Sequence, residues 1–233
     1  MIKASDKMYN INIMKLIISG DSHTRIFKHM KAPFSVCLKV RSATTMYRVQ
    51  RDGIEQLLKD NHARASRELE SHEEVSRGDV IFFCYGYVDI INNILKHEED
   101  WRHFVKEYVR VIKEYGQKYG IIPLIQIDTV PQPEDDRHTY IGSLSRRTQL
   151  REDMYEFLKS ETIKEGICGI DLYNKRYDNE QGQLSKNMTY SQDNAHIGHN
   201  SSNANSCKGC ELCTGKEAKY IWSRLLEKIP PIS

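Results

Sequence analysis

Five short apolar runs, separated by polar turns and helix-patterned stretches, constrain this chain more than any other feature. They are Met14 to Ser19, Phe34 to Val40, Val80 to Tyr85, Ile121 to Ile127 and Ile167 to Leu172. Each has the length of a buried strand and is too short for a buried helix. Between the third and fourth runs, Trp101, Phe104, Val105, Tyr108, Ile112, Tyr115 and Tyr119 recur every three or four residues, which predicts an amphipathic helix over Glu98 to Tyr119. Gly53 to His72 and Ser145 to Glu165 are also helix-compatible, and Lys216 to Lys228 closes the chain before Pro230 and Pro231. This alternation predicts an α/β fold: a three-layer α/β/α sandwich around a doubly wound, mostly parallel sheet of about five strands. Sheets of this kind bind ligands at the carboxyl ends of their strands.

With 233 residues the chain suits one domain spanning 1–233. Residues 1–13 read as an N-terminal extension and 174–215 as a polar loop region. Lysines and arginines (34) and acidic residues (32) are well mixed, so no electrostatic footprint for nucleic acid is expected. The mean hydropathy is -0.62, and no apolar stretch approaches the roughly 20 residues that a membrane span requires. The first residues lack the apolar core of a secretory signal, so the expectation is a cytoplasmic protein without a membrane partner. Oligomeric state has no signature in the sequence.

The first run is followed by Gly20-Asp21-Ser22-His23. Glycine tolerates a tight strand-to-helix path there, and the free amides of a first helical turn can hold an oxyanion. A Gly-Asp-Ser turn that merely caps a helix is the commoner event. A serine hydroxyl becomes a nucleophile only when a base takes its proton, so Ser22 requires a histidine and a carboxylate to orient it. The segment from Ser191 to His196 offers both: the Asp-x-x-His spacing of Asp193 and His196 lets one short loop deliver imidazole and carboxylate together.

In this order, Gly20-Asp21-Ser22 after the first strand, Gly86-x-x-Asp89 after the third and Asp193-x-x-His196 near the end resemble the motif blocks of the SGNH (GDSL-type) hydrolase superfamily. The resemblance runs from about Lys15 to His196, with Ser42 to Tyr47 where the second block falls. Val130-Pro131 and the strand at Gly166 to Asp171, followed by Asp178 and Gly182, are similar to a glycan-associated subgroup. The resemblance implies a flavodoxin-like sheet and an esterase: Ser22 as nucleophile, His196 as general base, Asp193 as its orienter and the Ser22 amide as an oxyanion donor. It implies removal of a small acyl group, acetyl foremost, from a carbohydrate or similar polar substrate. The alternatives are an O-acyltransferase acting on a glycan with the same triad, or a non-catalytic glycan- or protein-binding domain.

Two positions depart from the family pattern. Ser42 stands where the second block has glycine, and it can still donate its N–H. Val88 stands where the third block has an asparagine whose amide lines the oxyanion hole, and valine has no donor. Asn92, Asn93 and the backbone around Tyr87 are the candidate substitutes. Asp89 is expected to brace the loops rather than react. His23 either contacts the acyl group or is exposed. Arg41 and Arg48, with Arg51, could bind an anionic group on the substrate, although a solvated basic stretch is the simpler reading.

Cys37, Cys84 and Cys168 fall within predicted strands and are expected to be buried, reduced thiols. Cys207, Cys210 and Cys213 have ligand-like spacing, and His199 could complete a tetrahedral zinc site with them. A disulfide or free thiols are the other readings. The triad chemistry itself requires no cofactor, leaving zinc an optional structural ligand.

Overall fold

A computed structural model describes residues 14–21, 24, 27, 35–40, 44–59, 74–97, 100–128, 140–172 and 222–229, with Asn92 and His97 described by their backbone alone. Five strands, β1 (Lys15–Gly20), β2 (Ser35–Val40), β3 (Val80–Cys84), β4 (Ile122–Gln126) and β5 (Cys168–Ile170), form one sheet in the order β2-β1-β3-β4-β5. Every pairing is parallel. All five strands therefore end on the same edge, and the chain reverses its direction of travel across the sheet between β1 and β3. That is the order of the flavodoxin-like sheets, whose ligands sit beside this switch point.

Strand side chains alternate between two cores. Ile17, Ile81, Phe83 and Ile125 pack beneath α1 (Met46–Asp52), α2 (Ile54–Lys59), α4 (Trp101–Tyr119) and α5 (Leu144–Glu165). Leu16, Ile18, Val80, Phe82, Leu124 and Ile170 face the other way, toward Phe27, Trp222 and Leu225. The period of two in the strands thus feeds both faces of the sheet, which produces the three-layer sandwich.

The two long helices follow from their sequences. Asp100 caps α4 by accepting the Arg102 N–H at 3.1 Å, and Val105, Tyr108, Val109, Ile112 and Tyr115 form its buried stripe. Ser143 caps α5 through the Arg146 N–H at 3.2 Å. Both helices agree with the predicted spans to within three residues. Between Asp89 and Asn93 the chain makes a π turn that runs on into α3 (Ile94–His97). No described helix is long and apolar enough to cross a membrane.

Of the helix expected over Gly53 to His72, the described part is α2, and residues from 60 to 73 lie outside the described residues. The closing helix is described over 222–226. The segments 1–13 and 173–221 also lie outside, and with them the N-terminal extension and the polar loop region. One expectation is overturned: Cys168 is exposed, whereas Cys37 and Cys84 are buried. Cys168 is the first residue of the three-residue strand β5, at the end of the sheet, and burial along that strand is reached only at Ile170. An apolar run in sequence does not show which of its residues stands at the open end of the strand.

Candidate active site

Gly20 ends β1 at the switch point, and its surroundings exclude any larger residue. A Cβ there would lie 2.5 Å from the Cys84 carbonyl oxygen, 2.8 Å from the Cys84 Cβ and closer still to the Thr24 methyl. The chain then bends sharply. Asp21 donates its N–H to the Cys84 carbonyl at 3.3 Å, and its own carbonyl accepts both the Thr24 N–H at 3.2 Å and the Thr24 hydroxyl at 2.8 Å. Asp21 and Thr24 are buried, so the bend is anchored on both sides of Ser22 and His23, which themselves lie outside the described residues. Beneath it, Ser19 and Tyr85 share a buried hydrogen bond of 2.8 Å between their hydroxyls, and the Tyr85 ring meets Tyr108 edge-on at 6.3 Å.

The third strand leads into the second part of the site. Gly86 takes φ of 123°, a conformation that side-chain-bearing residues rarely adopt, and the chain turns through Tyr87 and Val88 into Asp89. Val88 has helical backbone angles and is half-buried. The Asp89 carboxyl is buried and accepts the Met46 N–H at 2.9 Å across 43 residues of sequence. It also accepts hydrogen bonds from the Asn93 side chain and from the Tyr47 and Asp89 amides. Burial outweighs these bonds and pushes its pKa up to about 7.

Met46 opens α1, a helix the sequence reading did not anticipate. Its cap is Thr45, whose hydroxyl accepts the Arg48 N–H at 3.1 Å. Asp89 takes a first-turn amide that Thr45 does not, so the first donors of α1 are satisfied by its own cap and by a carboxyl 43 residues away. The sequence signal for α1 was a threonine followed by apolar residues at Met46 and Val49. The family resemblance singled out Asp89 as a brace, but nothing in the sequence pointed to the start of α1 as what it holds.

One further carboxylate at this edge went unnoticed in the sequence. Asp128, just beyond β4, is buried and accepts the Leu172 N–H at 3.0 Å, tying the ends of β4 and β5 together. Burial pushes the Cys84 thiol well up, and the charges of Asp21 and Asp128 add to the effect. Cys84 is therefore a packing group and no nucleophile.

Of the other residues singled out, Arg48 lies on α1, where its Nε donates to Asp52 at 3.1 Å, four residues along the helix. Arg51 binds the same carboxylate from the other side. Asn93 lies beside Asp89, and its side-chain amide favours the charged form of that carboxyl. The Asn92 side chain, Arg41, Ser42, Asp193, His196, His199, Cys207, Cys210 and Cys213 lie outside the described residues.

No protein-family model and no curated protein matches the chain. Solved structures do. A GDSL-like lipase from Bacteroides thetaiotaomicron superposes with a TM-score of 0.52 at 13% identity, over 92% of this chain and 86% of its own. The acetyl xylan esterase AlAXEase gives 0.51 at 16%, over 90% and 98%. A protein proposed to be an SGNH hydrolase from Slackia heliotrinireducens gives 0.51 at 11%, over 94% and 100%. At such identities the likeness is one of fold.

Proposed function

The chain has the SGNH (GDSL-type) hydrolase fold, and we propose that on it the protein acts as a serine-dependent ester hydrolase. The carrying observation is the bend at Gly20, Asp21 and Thr24. It stands at the switch point of the sheet, it is too tight for any residue but glycine at position 20, and it brackets the one serine that the motif order singles out.

In this reading the Ser22 hydroxyl attacks the ester carbonyl while His196 takes its proton, and Asp193 holds the imidazole in the required orientation. The negative charge of the tetrahedral intermediate rests on the Ser22 and Ser42 backbone amides. His196 returns the proton to the departing alcohol, water then attacks the acyl-enzyme, and acid leaves. An acetyl group on a carbohydrate is the favoured substrate, supported by the acetyl xylan esterase among the structures of like fold. The purified protein should release acetate from acetylated sugars, and Ser22→Ala should abolish the release. Equal turnover by that variant would sink the proposal.

Val88 favours a second reading, a glycan-binding domain without turnover. Loss of one oxyanion donor costs about 100- to 1000-fold in rate, and the Val88 side chain has no donor to replace it. A protein that binds acetylated oligosaccharide and releases no acetate from it would be of this kind.

A further inference from the structure

We propose that Tyr47 and Phe104 form a sugar-stacking platform on the rim of the candidate site, and that with Arg48, Arg51 and Asp52 they hold the neutral oligosaccharide that carries the acyl group. The acyl group rests on the esterase reading. The platform rests on residues of α1 and α4 alone.

Its place in the fold is what sets it apart. Among the described residues the exposed large hydrophobics are Tyr47, Tyr119 and Ile163. Tyr119 ends α4 and Ile163 lies in the last turn of α5, and both helices run back toward the starts of the strands that follow them. Tyr47 stands at the opposite edge, where the strands end: its amide donates to the Asp89 carboxyl in the turn after β3. Phe104 belongs to the same edge. With 19 residues α4 is about 28 Å long, against about 17 Å for the five residues of β4, so the first turn of α4 projects beyond the sheet. Tyr108, one turn after Phe104, meets Tyr85 just past the end of β3, which fixes the level at which Phe104 stands.

The chemistry of the cluster matches a sugar. Tyr47 is 39% exposed, yet its ring is held: it meets Phe104 at 5.5 Å with the planes 75° apart, and the Arg51 guanidinium lies 5.8 Å from its centre. An exposed ring already fixed in place gives up little freedom when a ligand stacks on it. Beside it, the Nε atoms of Arg48 and Arg51 donate to the two oxygens of Asp52, at 3.1 and 2.6 Å. The terminal NH2 groups and the carboxylate thus form a fixed array of donors and acceptors next to an apolar face. A pyranose is complementary to that array, with a C–H face bordered by hydroxyls. An anionic ligand, by contrast, would have to compete with Asp52 for both arginines.

The experiment is titration calorimetry with xylotetraose, a neutral probe without an ester, together with release of p-nitrophenol from p-nitrophenyl acetate by the wild type. The wild type should bind xylotetraose, and Tyr47→Ala should weaken binding by about tenfold or more, while Tyr47→Phe, which keeps the ring, should stay within about threefold. Phe104→Leu removes the ring that holds Tyr47 and should weaken binding by about threefold or more, so a Tyr47→Ala protein that fails to fold leaves the test intact. Tyr119→Ala takes a similarly exposed tyrosine from the other end of α4 and should change neither binding nor turnover. Wild-type binding in Tyr47→Ala overturns the platform, and so does an equal loss in Tyr119→Ala. Tetragalacturonate bound about tenfold more tightly than xylotetraose would mean that the arginines read an anion, and overturns it too. A wild type that cleaves the ester and binds no xylotetraose overturns the platform and leaves the esterase reading standing. One that binds xylotetraose through Tyr47 and cleaves no ester overturns the esterase reading and leaves the platform as a glycan-binding site.

Discussion

The Cys84 carbonyl oxygen lies 2.5 Å from the point where a Cβ on Gly20 would stand, and the same oxygen accepts the Asp21 N–H at 3.3 Å. The bend leading to Ser22 is thus built against the backbone of β3, which cannot give way without opening the β1/β3 pairing. Gly20→Ala is therefore expected to cost about 1–3 kcal/mol, the range for overpacking a filled site. Urea denaturation would measure the loss. Wild-type stability in this variant would mean that the bend is not tightly packed.

Asp89 makes stability depend on pH in a direction opposite to that of a salt-bridged carboxylate. Its folded pKa is raised to about 7, above the ordinary value of about 3.9 for an unfolded aspartate. The folded protein therefore binds the proton more tightly, and this contribution is complete below about pH 4. It is lost as pH rises to about 7 and is constant above that. At about 1.4 kcal/mol per unit the loss reaches at most about 4 kcal/mol. Denaturation curves at pH 4.5 and 7.5 should show a smaller difference for Asp89→Asn than for the wild type. Identical pH dependence in the two proteins would refute the assignment.

The described cysteines should separate by reactivity. Cys168 is exposed, while Cys37 and Cys84 are buried and the Cys84 thiol is held protonated. Brief treatment of the native protein with iodoacetamide, followed by peptide mapping, should find carbamidomethyl on Cys168 and none on Cys37 or Cys84 until denaturant is added. Native labelling of Cys84 would contradict the packing described for the end of β3.

What could be read in advance followed from how local each signal is. The strands were legible because each apolar run is bounded by polar residues or turns, and α4 because Tyr108, Ile112 and Tyr115 repeat along one face. Helix α1 was not: Arg48, Gln50 and Arg51 interrupt a seven-residue element, and part of what holds it is Asp89, 43 residues away. Cys168 was misjudged because it stands at the start of β5, where the apolar run has not yet entered the core. Within the site, the motif order singled out Asp89 and raised the question of Val88. That Asn93 lies beside Asp89, and that the charges of Asp128 and Asp21 both act on Cys84, are properties of the folded edge alone.

The most direct test of the account is whether Ser22 is an activated nucleophile. A fluorophosphonate probe incubated with the folded protein, followed by mass spectrometry of its peptides, should find a single phosphonyl adduct on Ser22, and His196→Ala should slow its formation at least a hundredfold. A folded protein that takes up no probe, or one that carries it on another residue, would contradict the account.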